Sequence, residues 1–549
     1  MHYDIFETPP GRRSIAADAA GRPHVLFPHT RHGEPGRKHW RHAPEQLAGA
    51  RRQRLEYFAG RRRIFDLPLA PVGTPSQLDS PTRGRYRLRR PRLPSHASCC
   101  RTSADLPDPV PDPALSRRPD YHGRMNLRSA PMRACALLLV AGLLAACAHR
   151  PASSTAPQAR SLLLVSIDGL RADFLGRGLT PNIDALAADG VRARWMSPSY
   201  PSLTFPNHYT LVTGLRPDHH AIVHNMMSDD ALGDFRVADA NSTRDARWWA
   251  GTPLWVSVER SGRVSASWAW PGSHASIEGV RPEYRHDYDD GITPAERVGE
   301  VRQWLAEPGA RRPRLVTLYF EAADKAGHDH GPDSPQYADA VRSVDAALGL
   351  LFAGMRADGT HADTDIVIVS DHGMATVTPD HLIATEDMVP PAIARVVAYG
   401  QSIGIEPLPG KAAEAEKTLL GTHPQYDCWR KQDLPARWHY GSNPRIPAIV
   451  CQMREGWDAI PRQQLLKRDK TAERGSHGYD PALPSMRAVF VAGGPSFRHD
   501  VVLAPFDNVD VYPLLARLLA IPAEANDGDI TPLLPALAAA PAAVSAARP

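Results

Sequence analysis

Four short apolar runs constrain the fold of this chain more than any other feature. "SLLLVSI" (161–167) runs into Asp168, and "RLVTLYF" (314–320) runs into Glu321 with Asp324 close behind. "DIVIVS" (365–370) runs into Asp371-His372-Gly373, and "MRAVFVAGG" (486–494) is the fourth. Unbroken apolar stretches of this length read as strands covered on both faces, because a half-exposed strand would alternate. Helical patterns separate them. Thr180-Pro181 opens "TPNIDALAADG" with a threonine N-cap, proline at the first helical position and Gly190 as the stop; Thr293-Pro294 repeats the device. Longer amphipathic stretches cover 334–355 and 508–521. Alternating strands and helices predict an α/β domain over 161–530: a mostly parallel central sheet with helices on both faces. Between Gly373 and His477 the strands are short and turns frequent, which predicts a small inserted α+β subdomain at about 376–474. The Ala/Pro-rich residues 531–549 read as a disordered tail.

The net charge of +4 conceals a split. Residues 1–124 carry 23 Lys+Arg against 12 Asp+Glu, while the remainder carries 41 against 48. The basic segment has arginine clusters and no sustained period, and is expected to be disordered. "MNLRSAPMRACALLLVAGLLAAC" follows, with a basic start, an apolar stretch from Ala134 to Ala146 and small residues before Cys147. It is too short for a membrane span and reads as a secretory signal over 125–146. Its "LAAC" ending resembles a lipobox, which makes Cys147 the expected lipidated residue, with 147–160 as a tether. Such a signal belongs at an N-terminus, so we expect the true start at Met125 or Met132 and residues 1–124 to be a non-native extension. The rival reading is a disordered basic arm contacting nucleic acid. On the first reading the product is a periplasmic protein anchored by lipid to the outer membrane, monomeric and without a stable nucleic-acid partner. Cys428 and Cys451 are then the one cysteine pair left in an oxidising compartment, and a disulfide between them is expected; two separate buried thiols are the alternative.

Ligands of doubly covered parallel sheets collect at the carboxyl ends of the strands. That is where Asp168, Asp324, His328, Asp371 and His372 fall, and His477 in "ERGSHGYDP" joins them. Carboxylate and imidazole together suit zinc, and two such ions would clamp the attacking and leaving oxygens of an in-line displacement. A single Asp at a strand end is more often a cap or turn former; "DKAGHDHGP" and "SDHG" are stronger because Asp and His at adjacent or i, i+4 spacing converge. His330 is expected to face elsewhere. Thr204, in "SLTFPNHYTLVTG", is inert as a free hydroxyl and reads alone as a helix cap. Held beside a divalent cation at a helix start, the same hydroxyl becomes a nucleophile.

"SIDGLRADF", "TPNIDALAADG", "SLTFPNHYTLVTGLRPDHHAIVHN", "SWAWPGS", "DKAGHDHGP", "SDHGM" and "SHGYD" together resemble the nucleotide pyrophosphatase/phosphodiesterase family of the alkaline phosphatase superfamily, in a bacterial member. The resemblance covers about 160–520, and implies an alkaline-phosphatase-like fold with two Zn2+. It implies that Asp324, His328 and His477 hold one ion, and that Asp168, Asp371, His372 and the Thr204 oxygen hold the other. Thr204 would be the nucleophile, forming a covalent threonine-nucleotidyl intermediate that water releases as a nucleoside 5′-monophosphate. Asn225 would donate to a non-bridging phosphoryl oxygen, helped by the Phe205 amide. A neutral amide suits the single charge of a diester, where monoester hydrolases use a bidentate arginine. Phe205, Tyr288 and Tyr319 would line the substrate's nucleobase pocket, with ordinary core or rim aromatics as the plainer reading of the two tyrosines. The tryptophan of "WPGS", Trp270, is expected to pack. The same site on a choline-type or lysophospholipid phosphodiesterase is the second reading. A zinc-binding envelope lipoprotein without catalysis is the third.

Overall fold

The structure is a computed structural model that describes residues 14–17, 23–26, 160–469 and 471–538. The signal, Cys147 and residues 147–159 of the tether lie outside the described residues, as do 539–549. The chain divides into two units, Met1–Leu127 and Arg128–Pro549. In the first, Ser14–Ala17 pairs antiparallel with Pro23–Leu26. Ile15 stands opposite Val25 in the register.

The second unit is built on an eight-stranded sheet. Its strands are β1 (Ser161–Ile167), β2 (Val191–Ala193), β3 (Ser265–Trp268), β4 (Tyr284–His286), β5 (Leu315–Phe320), β6 (Thr364–Val369), β7 (Phe490–Gly493) and β8 (Val501–Leu503), in spatial order β8-β2-β7-β6-β1-β5-β3-β4. Neighbours are parallel except at β7, which runs antiparallel to both β6 and β2. The continuous apolar runs have the predicted cause. Leu162 and Leu164 of β1 with Val367 and Val369 of β6 enter one buried cluster, while Leu163, Val165, Ile366 and Ile368 enter another on the opposite face. Helices α1 (Pro181–Asp189), α3 (Pro294–Leu305) and α5 (Pro335–Asp358) contribute to the second cluster; α2 (Thr204–Thr213) and α6 (Val511–Leu518) contribute to the first. A further helix, α4 (Ala322–His330), follows β5 directly.

The two proline-led helix starts differ. Thr293 makes a full capping box with Glu296. Thr180 makes no side-chain cap, and its buried hydroxyl has no partner. The cap of α1 comes from Asp345 on α5 instead, whose carboxylate accepts from the amides of Asn182 (3.1 Å) and Ile183 (2.9 Å) and from Asn182 Nδ2 (2.8 Å). A charged acceptor at the helix N-terminus outcompetes a neutral hydroxyl.

Between β6 and β7 the chain forms a five-stranded antiparallel sheet, in the order Ala394–Ala398, Ser402–Pro407, Ile449–Met453, Tyr426–Arg430 and Gly421–Thr422. It has its own core, including Ile403, Ile405, Ile449 and Met453. Cys428 stands opposite Cys451 in the register, and the two are joined as a disulfide. Ala375–Val377 pairs antiparallel with Arg474–Ser476, closing the base of the insertion and delivering His477 back to the main sheet. The tail also departs from expectation: Thr531–Ala536 forms a 3-10 helix and Leu537 bridges to Phe497. Leu533 and Ala536 are buried in the cluster that holds Phe497 and Leu503, so apolar side chains anchor a stretch whose Ala/Pro composition suggested disorder. Among the described residues no helix is long and apolar enough to cross a membrane.

Asp345 is 1% exposed and its carboxylate serves three donors, so Asp345→Ala removes all three bonds and leaves only Asn182 Nδ2 a partner, the Asp345 carbonyl. We expect it to lower unfolding stability by about 2–3 kcal/mol, read from the urea midpoint.

Candidate active site

Strands β6, β1 and β5 are consecutive in the sheet, so their carboxyl ends open on one place. Asp168 directly follows β1, Asp371 and His372 follow β6, and Asp324 lies in the first turn of α4. Glu321, also at the end of β5, is engaged by buried Arg297 at 2.5 and 2.7 Å. Gly169 makes the close approach possible. Its φ is +70°, its amide donates to Asp371 Oδ1 (3.1 Å), and a Cβ there would lie 3.1 Å from Asp324 Cα.

Asp168, Asp371 and His372 present ligand atoms within 4.8 Å of one another, and so do Asp324, His372 and His477. His328 Nε2 lies 3.5 Å from Asp324 Oδ2 and 3.0 Å from His477 Nε2. His477 Nε2 lies 3.5 Å from Asp324 Oδ1. The structure thus brings together all six candidate ligands read from the sequence, with His372 belonging to both groups. His330 is exposed, as expected.

Two observations test whether these residues fit divalent cations. Among the described residues, Asp168 Oδ1, Asp324 Oδ1 and Asp371 Oδ2 are buried without an aligned hydrogen-bond donor, although His372 Nε2 lies 2.9 Å from Asp371 Oδ2. In addition, three imidazoles are fixed through Nδ1 to backbone carbonyls: His328 to Gly475 (3.0 Å), His477 to Ser202 (2.9 Å) and His372 to Gly373 (2.9 Å). A carbonyl only accepts, so each Nδ1 carries the proton and each Nε2 turns a lone pair inward. Lone pairs and carboxylate oxygens facing one another repel unless a cation lies among them. The donor set fits.

Burial and the mutual fields of these groups shift their titration in different directions. Burial, then Asp371 and Asp324, pushes the Asp168 carboxyl well above its ordinary range. Burial likewise raises Asp324. Against burial, His372 and His208 hold Asp371 below its ordinary value, and Asp371 pushes His372 up. Burial, with His372 and His328 beside it, drives His477 well down.

Thr204 is the first residue of α2, and Leu203 occupies the cap position. Its Oγ1 lies 3.4 Å from His372 Nε2 and caps nothing, so the cap-only reading does not hold. Sequence reasoning left its bracing unassigned. Asn207 Nδ2 donates to Pro201 O and Leu203 O (both 2.9 Å), while Asn207 Oδ1 accepts from the Ser199 amide (2.8 Å). His208 Nδ1 bonds Thr204 O and its Nε2 bonds Ser166 Oγ, both at 2.8 Å. The buried Trp270 packs as expected, its indole N–H donating to His208 O (3.1 Å). The available signal was spacing: Asn207 and His208 lie three and four residues beyond Thr204, on the same helical face.

The substrate-side residues take the following positions. The Phe205 amide donates to Asn225 Oδ1 (3.0 Å), so it is engaged with Asn225 and leaves Nδ2 as that side chain's free donor. Tyr319 is 8% exposed and its hydroxyl donates to Asp168 Oδ2 (2.6 Å), so it supports Asp168. Tyr288 is 52% exposed, an open rim position. Phe205 remains partly buried, its ring 6.0 Å from Trp249 and 6.1 Å from Phe235.

A family model described as type I phosphodiesterase / nucleotide pyrophosphatase matches residues 162–480. An uncharacterised pyrophosphatase/phosphodiesterase of Schizosaccharomyces pombe is 35% identical over 380 residues, 67% of this chain and 78% of that protein. Ectonucleotide pyrophosphatase/phosphodiesterase family member 3 of Rattus norvegicus is 34% identical over 379 residues, 67% of this chain and 43% of its own length. This chain therefore spans less than half of that relative. Among solved structures, murine ectonucleotide pyrophosphatase/phosphodiesterase 5, as an inactive threonine-to-alanine variant in complex with AMP, superposes with a TM-score of 0.65. It is 31% identical, and the match covers 69% of this chain and all of that one.

Gly169 provides a local test. Gly169→Ala is expected to destabilise the protein by about 2 kcal/mol or more, from left-handed strain and the contact with Asp324. Thermal unfolding and bound-metal stoichiometry should both fall.

Proposed function

This chain is a member of the type I phosphodiesterase/nucleotide pyrophosphatase family and a hydrolase, and we propose that it cleaves nucleotide phosphodiester and pyrophosphate bonds with Thr204 as nucleophile and two Zn2+ as cofactors. The observation that carries this reading is the position of Thr204 Oγ1, at a helix start and 3.4 Å from the imidazole shared by both ligand groups. The murine relative whose threonine-to-alanine variant is inactive and holds AMP supports it.

Asp324, His328 and His477 would hold one ion; Asp168, Asp371 and His372, with the Thr204 oxygen, would hold the other. Zinc bound there supplies Lewis acidity to the phosphoryl group and lowers the pKa of a neighbouring hydroxyl. The protein supplies the remainder. Thr204 forms the Oγ–P bond as the bond from phosphorus to the leaving oxygen breaks, and the N-terminal dipole of α2 favours its anionic form. Water then cleaves the Oγ–P bond, restoring the hydroxyl and releasing a nucleoside 5′-monophosphate. Asn225 Nδ2 donates to a non-bridging oxygen, its carbonyl pinned by the Phe205 amide. A neutral donor matches the one negative charge of a diester better than the two of a monoester. Asn207 and His208 hold the Thr204 backbone, and Phe205 flanks the nucleoside. Export to the periplasm with a lipid at Cys147 is part of the same proposal, supported by the Cys428–Cys451 disulfide, a bond of oxidising compartments.

Thr204→Ala should lower turnover of the nitrophenyl ester of thymidine 5′-monophosphate by roughly 10³-fold or more while retaining bound zinc. Wild-type turnover in that variant would exclude the mechanism. Chelation should abolish activity and lower the thermal midpoint by about 5 °C, with zinc restoring both.

A further inference from the structure

The turn that leads into Thr204 is clasped from a distant part of the chain. Phe506–Asp507 pairs parallel with Met196–Ser197, and this seats Asn508 beside Ser199. Asn508 begins a short 3-10 helix, Asn508–Asp510, whose start is fixed by a capping box between Asp507 and Asp510. It is fully buried, and both ends of its amide are used. Its Oδ1 accepts from Ser199 Oγ (2.7 Å), and its Nδ2 donates to Asn207 Oδ1 (2.8 Å) across 301 residues of sequence. The Ser199 amide supplies the second donor to the same Asn207 oxygen (2.8 Å). With two donors on its oxygen, Asn207 turns Nδ2 toward the carbonyls of Pro201 and Leu203 and closes the turn 199–203.

That turn carries two contacts of the candidate site. Thr204 leaves it as the first residue of α2, and the Ser202 carbonyl accepts from His477 Nδ1. Asn508 stands one step behind both, and it lies beyond residues 162–480, which the family model matches. We propose that Asn508 is a positioning residue for the nucleophile: through Asn207 it holds the Thr204 hydroxyl in the place from which it attacks phosphorus. This rests on the Thr204 reading above. Without Asn508, Asn207 keeps only one of two donors on its oxygen and the turn regains freedom. A displacement of about 1 Å in a reacting group costs on the order of 10²-fold in rate, so a small slackening here is read directly in turnover.

The zinc-loaded full chain is assayed with the nitrophenyl ester of thymidine 5′-monophosphate, with bound zinc measured on each variant. Asn508→Asp keeps the size and the acceptor for Ser199 Oγ but sets an oxygen against Asn207 Oδ1. Asn508→Ala removes both bonds. Ser199→Ala, the mildest change, removes the hydroxyl bond to Asn508 and keeps the main-chain bond to Asn207. Asp345→Ala, which loosens the cap of α1 and none of this network, is the stability control. Both Asn508 variants should lose roughly ten-fold or more in kcat, with KM within about two-fold and zinc retained. Ser199→Ala should lose about three-fold in the same way, and it decides alone where the Asn508 variants do not fold. Asp345→Ala should keep the wild-type kcat at temperatures well below its thermal midpoint. If the wild type leaves the ester intact, the Thr204 reading itself fails. If the wild type cleaves it but the Asn508 and Ser199 variants keep the wild-type kcat, lose it only as far as zinc is lost, or lose no more than Asp345→Ala, the positioning role is overturned and the Thr204 reading stands.

Discussion

Repulsion among three carboxylates with buried inward-facing oxygens is the constraint on which the rest of this structure depends. Asp168, Asp324 and Asp371 come from three adjacent strand ends and turn oxygens without donors toward one another. Isolated, each such charge would carry a desolvation penalty of several kcal/mol, and a fold without cations would neutralise or separate them. This one instead adds imidazoles whose protons are tied to carbonyls, so that they too present lone pairs. The surrounding framework then resists the collapse of the cluster. Tyr319 holds one Asp168 oxygen, the Gly169 amide holds Asp371, and Asn207 and His208 hold the segment carrying Thr204. Pre-organised donors of this kind let charge be met without rearrangement at the moment of reaction.

The sheet and the ligand set were legible in the sequence for the same physical reason. A strand buried on both faces must be continuously apolar, so the first charged residue after each run marks the sheet edge, and Asp168 and Asp371 sit there. Asp324 and His328 share a helical face at i, i+4 spacing, another local signal. What stayed hidden depends on contacts between distant residues. Nothing in "TPNIDALAADG" reveals that Asp345, far along the chain, caps the helix in place of Thr180. The reversed direction of β7 leaves no trace in a run that is apolar either way. The type of Tyr319 says nothing of where its hydroxyl ends, and the Phe205–Asn225 bond joins residues twenty apart.

The candidate site draws on two parts of the chain unequally. Thr204 and five of the six candidate ligands lie on the α/β body: Asp168, Asp371 and His372 just past strand ends, Asp324 and His328 on α4, and Thr204 at the start of α2. Only His477 arrives by way of the insertion, immediately after the short ladder of Ala375–Val377 with Arg474–Ser476. That ladder makes the insertion both a wall and a brace: Arg474 and Ser476 line a cavity beside His328, while the Gly475 carbonyl between them fixes the tautomer of His328. The outer part of the insertion is tied separately by Cys428–Cys451 and by its own core. Changes beyond the ladder can therefore reshape what fits beside His328 while the ligand geometry persists. Changes within the ladder displace the ligands themselves. A substrate range altered through the far strands of the insertion, at undiminished turnover of a small ester, is the pattern this division of labour produces.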